Sequence, residues 1–282
     1  MADVDVARVQ QYKSNVTLLF QQEGSLLRPV LREEVGKGKI IYFELIAPTA
    51  AIKRTVRHQL TPQTPSVHSR RGCIMEDYEW NDYVDDQDKI RMLIDPTSPY
   101  ARNGAYALGR TLDNTIYTQL RGNALTGETG SGTQALPAGQ KIAHGSVGMT
   151  LEKILQAHRM LGRNKVPMRD RYFIVEPFGI EDLLNLPEIT SADYNSVKSL
   201  MTGEVNSFMG FSWVNYLEMA AESNVFYALA CHKDAAGLAM GEDIMTRIDE
   251  LPERGYTTQV YLRSTFGAVR IQDEGVVEIA YQ

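Results

Sequence analysis

The order of patterns along this chain predicts an α+β fold. Its helical periodicities fall in the middle, its clearest strand alternation closes the sequence, and no regular strand–helix–strand alternation links them. With 282 residues, the length suggests about two lobes at roughly 150 residues each. Hydrophobic residues make up 43% and charged residues 23%, an ordinary globular balance that excludes wholesale disorder. No internal repeat is visible.

The first expected elements form an arm. Ile40 to Ile46 is rich in β-branched and aromatic residues and reads as a strand. Ala47 to Ala51 contains Pro48 and reads as a bend, and Ile52 to Leu60 reads as a second strand. Pro62 and Pro65 then interrupt any regular element. The expected product is a long hairpin with a proline-rich return. Such a hairpin is marginal in water alone, and residues 1–34 offer no compact apolar pattern to support it. An arm of this size suggests contacts with other subunits.

The middle of the chain is helical. Ser98 is placed to cap a helix with Pro99 at its first position. Ala101, Ala105, Leu108, Leu112, Ile116 and Leu120 follow as one apolar stripe that ends near Gly122. Residues 122–148 are glycine-rich and read as a linker. Thr150 caps a second amphipathic helix carrying Leu151, Ile154, Leu155, His158 and Leu161, closed by Gly162. Further helical stretches are expected at 180–186 and 194–208, and strands at 171–175, 210–216 and 224–231. Alternation in Thr257 to Arg263 opens a closing β region, continued by 266–271 and 276–280.

Twenty-nine basic residues against 35 acidic ones give a net charge of −6. That argues against a coat which neutralises nucleic-acid phosphates over its whole surface. The charge is unevenly spread. Residues 36–75 hold seven basic side chains against Glu44 alone, and residues 76–95 hold eight acidic side chains against Lys89 and Arg91. Adjacent blocks of opposite sign suggest surfaces that meet, within one chain or between copies. Lys53, Arg54 and Arg57 on one side, and Asp82, Asp85 and Asp86 on the other, are the candidate contact residues.

No catalytic constellation is found. Gly127-Glu128-Thr129-Gly130-Ser131-Gly132-Thr133 has Thr133 where a phosphate-binding loop needs lysine. It also lacks the third glycine and the preceding strand of a dinucleotide loop, so a flexible linker is the better reading. The histidines show no metal-ligand spacing, and Cys73 and Cys231 read as inert thiols rather than a zinc site. Acidic residues 82–88 lack the spacing of a calcium loop and suggest an amphipathic element with an acidic face. No cofactor or metal is expected. No run approaches the roughly 18 apolar residues of a membrane helix and no secretion signal is seen. A soluble chain made in the cytoplasm is therefore expected.

Several short segments resemble one family. They are Ser25-Leu26-Leu27-Arg28-Pro29-Val30, Arg57-His58-Gln59-Leu60-Thr61-Pro62, Arg70-Arg71, Asp77-Tyr78-Glu79-Trp80, Asp95-Pro96-Thr97-Ser98-Pro99-Tyr100-Ala101 and Thr190-Ser191-Ala192-Asp193-Tyr194-Asn195-Ser196-Val197-Lys198. With the closing β run, these resemble in order the major capsid proteins of short-tailed and related tailed phages. Each segment alone is weakly specific, but their collinearity over nearly the whole chain is not.

The resemblance implies the Hong Kong ninety-seven-type capsid fold. Carried onto this chain, it implies an N-terminal arm at 1–35 and an extended loop at 36–75. A peripheral domain follows at 76–164 with a spine helix at 99–122, then an axial domain at 165–245 and return strands of the peripheral domain at 246–282. It implies a non-enzymatic major capsid protein that forms pentamers and hexamers of an icosahedral head. A separate scaffolding protein and a portal protein are the implied partners. Double-stranded DNA would be enclosed without sequence-specific binding, with no membrane involved, and assembly would take place in the host cytoplasm. No Lys–Asn cross-linking pair is identified. An encapsulin-like compartment shell is the alternative with the same fold, and a nucleotide-binding enzyme using residues 127–133 is the alternative of a different class.

Overall fold

A computed structural model describes residues 21–57, 60–84, 97–186, 207–219 and 221–282. The mixed α+β character is as expected. The chain divides into two units, and their boundaries fall inside the longest elements. One unit contains residues 77–111 and 242–265 with the N-terminal stretch to Ser25, and the other contains 26–76, 112–241 and 266–282.

Chain order begins with β1 (Arg32–Val35), β2 (Ile40–Ile46), β3 (His68–Ile74) and β4 (Glu76–Val84). Helix α1 (Thr97–Arg121) follows, then β5 (Ala124–Thr126), β6 (Gly132–Gln134) and β7 (Lys141–Ile142). Next come α2 (Leu151–Arg163), β8 (Arg171–Val175), α3 (Pro177–Leu184), β9 (Ser212–Asn215) and β10 (Phe226–His232). The chain closes with β11 (Ala236–Leu251), β12 (Thr257–Arg270) and β13 (Val276–Tyr281).

The smaller unit is a helix lying on strands. Leu108 of α1 is buried with Val260 and Leu262 of β12, and Tyr78, Trp80, Tyr100, Ala101 and Ala105 close around them. Gly104 sits directly under the Trp80 ring, so any side chain there would strike it. One turn on, Gly109 faces the backbone of Gly24, and a Cβ at 109 would lie 2.6 Å from the Gly24 carbonyl carbon. Gly24 itself takes φ +75°, a left-handed conformation that only glycine enters cheaply. The two glycines let the incoming chain cross the helix in direct backbone contact. Residues 76–84 form a regular strand, not only an amphipathic acidic stretch. The Thr265 hydroxyl donates to Asp77 at 2.7 Å, and the Tyr261 hydroxyl to Glu79 at 2.8 Å.

The larger unit holds a five-stranded sheet in the order β7-β13-β10-β8-β9. Its inner strands are mostly apolar, and Phe173, Val175, Ala228, Ala230, Val277 and Ile279 are completely buried. Helix α2 covers the sheet with Ile154, Ala157 and Leu161. Thr150 caps it as expected, its side chain accepting from the Lys153 amide at 3.4 Å. The Lys153 ammonium turns inward and donates to the carbonyls of His144, Val147, Gly148 and Ala280 at 2.9–3.1 Å. Burial lowers its pKa from the usual lysine value, and the Asp182 carboxylate opposes that shift.

Several sequence expectations are corrected. The partner of β2 is β3, not residues 52–60: the two strands pair in register from Ile40↔Ile74 to Ile46↔His68, and the described residues between them form no strand. Pro62 and Pro65 fall in the connection, where no ladder needs their missing amides. The helix starts at Thr97, so Ser98 lies inside its first turn. Residues 122–148 are not a bare linker, since they contain β5, β6 and β7. Strand β13 pairs antiparallel with β10 along its length. The expected 194–208 helix falls mostly within residues 187–206, which lie outside the described residues.

Replacing Gly109 with alanine should lower stability despite alanine's helix advantage of about 1 kcal/mol. A rigid backbone neighbour cannot yield, and overpacking of this kind costs about 1–3 kcal/mol. A lower denaturant midpoint with an unchanged slope, measured on the soluble chain, checks this.

Candidate assembly interface

The β2–β3 pair forms the root of the arm. Phe43 and Cys73 point into a small core with Met75, Ala124, Ala239, Val269 and Ile271. Strand β5 adds to β3 through Arg71↔Thr126 and Gly72↔Leu125, and β6 adds to β5. The glycine-rich segment is therefore the turn of a hairpin. Gly127 and Gly130 take φ of +90° and +70°, and the Gly130 amide donates to the Gly127 carbonyl. A strand, not a helix, follows it, which removes the geometry that a phosphate loop needs.

A buried charge network fixes the root. Arg270 is completely buried. Its Nε donates to Asp273 at 2.5 Å, Nη1 to the carbonyls of Leu120 and Gly122, and Nη2 to the carbonyl of Gln134. Asp273 also accepts from Arg71 Nη2 at 2.8 Å, and Arg71 Nε reaches the Ile271 carbonyl. The C-terminal end of α1, the β5–β6 hairpin and strand β3 thus share one carboxylate and two guanidiniums. A second anchor is Asp113, completely buried, whose carboxylate accepts from the amides of Leu26 and Leu27 at 2.8 and 3.0 Å. Sequence reasoning missed both. The available signal was a charged residue inside an apolar run, as in Ala268-Val269-Arg270-Ile271.

Beyond the root the arm is open. Residues 47–67 form no strand or helix among those described, and nearly all are exposed. Ile46, Ile52, Val56, Leu60 and Val67 are 57–92% exposed, an unusual run of uncovered apolar side chains. Lys53, Arg54 and Arg57 are also exposed, and among the described residues none forms an ion pair. Arg54 Nε donates to the Val56 carbonyl at 3.2 Å. Asp82 lies half-buried in β4 and accepts from the Tyr83 amide at 2.8 Å. Asp85 and Asp86 lie outside the described residues.

At the arm's root a groove of about 500 Å³ runs between β3 and the β5–β6 turn, lined by His68, Arg70, Arg71, Thr126 and Glu128 among others. Arg70 pairs with Glu44 at 3.1 Å and lies over the Tyr42 ring. Among the described residues no group of three His, Cys, Asp or Glu side chains could hold a metal. No described helix is long and apolar enough to cross a membrane. Both cysteines are buried, and burial pushes each thiol up to about 12. That holds them in the protonated form, which is a poor nucleophile.

A well-anchored body carrying an uncovered basic and apolar arm is the architecture of a shell subunit. The model of the phage capsid protein family matches residues 4–282, and the chain belongs to that family. It has the Hong Kong ninety-seven-type capsid fold. No curated protein matches it in sequence. Among solved structures it is similar to the capsid of the cyanophage P-SCSP1u, with TM-score 0.76 and 16% identity over 98% of this chain and 93% of that one. It is also similar to the capsid of Ralstonia phage GP4, with TM-score 0.76 and 11% identity over 100% and 97% of the two chains. The capsid of a native GTA particle gives TM-score 0.71 and 10% identity over 100% and 99%. At these identities the shared property is the fold. Neither the compartment-shell nor the nucleotide-enzyme alternative gains support.

Two outcomes are expected at these sites. Arg270→Met should cost about 3–5 kcal/mol, since it removes one of the two guanidiniums that hold Asp273 and leaves the Leu120, Gly122 and Gln134 carbonyls without their donor; denaturant unfolding of the soluble chain measures it. At pH 8.5 both thiols should resist alkylation in the folded protein and react once it is unfolded, as mass spectrometry of the labelled chain would record.

Proposed function

We propose that this capsid protein assembles as pentamers and hexamers, with the arm of each subunit lying across its neighbour. The observation that carries this is the uncovered arm, whose apolar residues are exposed and whose cations have no ionic partner among the described residues. In this reading Lys53, Arg54 and Arg57 meet the acidic segment of an adjacent copy, with Asp82, Asp85 and Asp86 as their counterparts. The five-stranded sheet with α2 and α3 serves as the axial domain, and α1 as the spine of the peripheral domain. Repeated heterologous contacts close into rings, and small changes in their angles let rings join into a container. Each contact can be weak, because many act together.

The subunit acts without catalysing a reaction. A separate scaffolding protein guides closure in the host cytoplasm, and double-stranded DNA enters through a portal protein. Its net charge of −6 suits a wall that does not grip the DNA broadly.

Reversing the arm charges by Lys53→Glu, Arg54→Glu and Arg57→Glu tests the contact. Like charges facing each other cost several kcal/mol, so closed shells should fall by about tenfold or more. Electron microscopy with light scattering counts shells, and circular dichroism checks that the subunit still folds. Normal shells from this variant would remove the proposed contact.

A further inference from the structure

The end of α2 and the loop after it gather positive charge in a chain that is acidic overall. Arg159, Arg163, Lys165 and Arg169 are all exposed, and among the described residues none has a hydrogen-bonding or ionic partner for its side chain. Lys233 stands beside them, its amide donating to the Asp170 carbonyl. The acidic groups nearby are Asp170 in the loop, Asp234 after β10, and Glu274, whose carbonyl accepts from Asn164.

Three features of this region each work against stability. Arg159 and Arg163 are four apart on one helix face, a spacing at which like charges repel. Lys165 holds φ +60° just past the helix end, a position that favours glycine. Beneath the loop, Arg171 is only 1% exposed. Its Nε donates to the Pro167 carbonyl at 2.8 Å and Nη2 to the Val166 carbonyl at 2.7 Å, while Nη1 is buried without a partner. Among the described residues no carboxylate pairs with it. The helix dipole accounts for a cation at Arg163, but not for the others. Repeated local costs that all place the same charge in one spot mark a functional surface.

We infer that the α2 C-terminus and the loop from Lys165 to Asp170 form a contact surface for the phosphates of double-stranded DNA. This rests on the reading of the chain as a shell around DNA. Arg171 clamps the loop by two of its carbonyls, so Lys165 and Arg169 are held on a fixed backbone. The cations project outwards, where they can reach a row of phosphates without reading bases. An acidic protein segment is the other polyanion to consider. Specific protein interfaces centre on desolvated aromatic or apolar anchors. Here the strongly exposed apolar side chains are Leu155 and Met168, with no Phe, Tyr or Trp among the cations. Phosphates therefore fit better. One local patch on an acidic subunit gives contacts that are weak, sequence-independent and sensitive to salt.

The test compares the soluble full-length chain with a variant carrying Arg159→Gln, Arg163→Gln, Lys165→Gln and Arg169→Gln. Each is titrated with a random-sequence duplex of about 30 base pairs at several salt concentrations. If the four cations meet phosphates, the slope of log affinity against log salt should become shallower by about 3 to 4 in the variant. Equal slopes, with matching circular dichroism, would overturn the inference. So would binding of polyglutamate in preference to the duplex, which would point to an acidic protein partner. Shell formation is scored separately. A wild-type chain that forms no shells counts against the assembly reading, whereas normal shells with equal slopes count against this surface alone.

Discussion

Arg270 and Asp273 set the conditions for much of the larger unit. A fully buried guanidinium is expensive to desolvate, and it persists only where hydrogen bonds surround it. Here the surroundings are the carbonyls of Leu120 and Gly122 at the end of α1, the carbonyl of Gln134 after the β5–β6 turn, and one carboxylate. Helix α1 ends with unpaired carbonyls as every helix does, and Arg270 covers that of Leu120 together with that of Gly122 just past the helix end. Because Asp273 also holds Arg71, strand β3 is tied to the same point. The rigidity of the arm's root is therefore set by a charge outside the arm.

That rigidity matters because the arm is otherwise unsupported. Strands β2 and β3 are paired along seven residues, yet the chain beyond them buries almost nothing. A chain that exposes apolar side chains beside cations without counter-charges gains by covering both at once. In the proposed contact the apolar residues would supply non-directional attraction, and the cations would restrict which surface will do. Removal of either would leave a different defect: loss of cohesion in one case, loss of selectivity in the other.

Much of this was legible in the sequence. The stripe from Ala101 to Leu120 predicted α1, and Leu108, Leu112, Ile116 and Leu120 are all buried. The Thr150 cap and the closing strands were readable because local propensity and burial agree there. Reading failed where the partner lies far along the chain. Residues 52–60 have strand composition, but nothing local says that 68–74 will take the place beside β2. Glycines at 127 and 130 announce a turn, yet not that short strands flank it. Lys53, Arg54 and Arg57 stood out as a basic cluster and are exposed, whereas Arg270, Asp113 and Lys153 carry their meaning only through contacts that the sequence does not display. Charged residues are normally expected outside, so single buried ones escape a reading based on periodicity.

Strand β13 carries a consequence of timing. It lies second in its sheet, with Glu278 and Ile279 beside Lys141 and Ile142 on one side and the whole of β10 on the other. Until residue 281 has been synthesised, β10 has an open edge and β7 has nowhere to dock. A chain stopped before β13 therefore cannot finish this sheet, and the Lys153 ammonium lacks the Ala280 carbonyl. Synthesis through β13 is therefore a precondition for closing this sheet: strands made more than a hundred residues earlier wait for it before their shared core is complete.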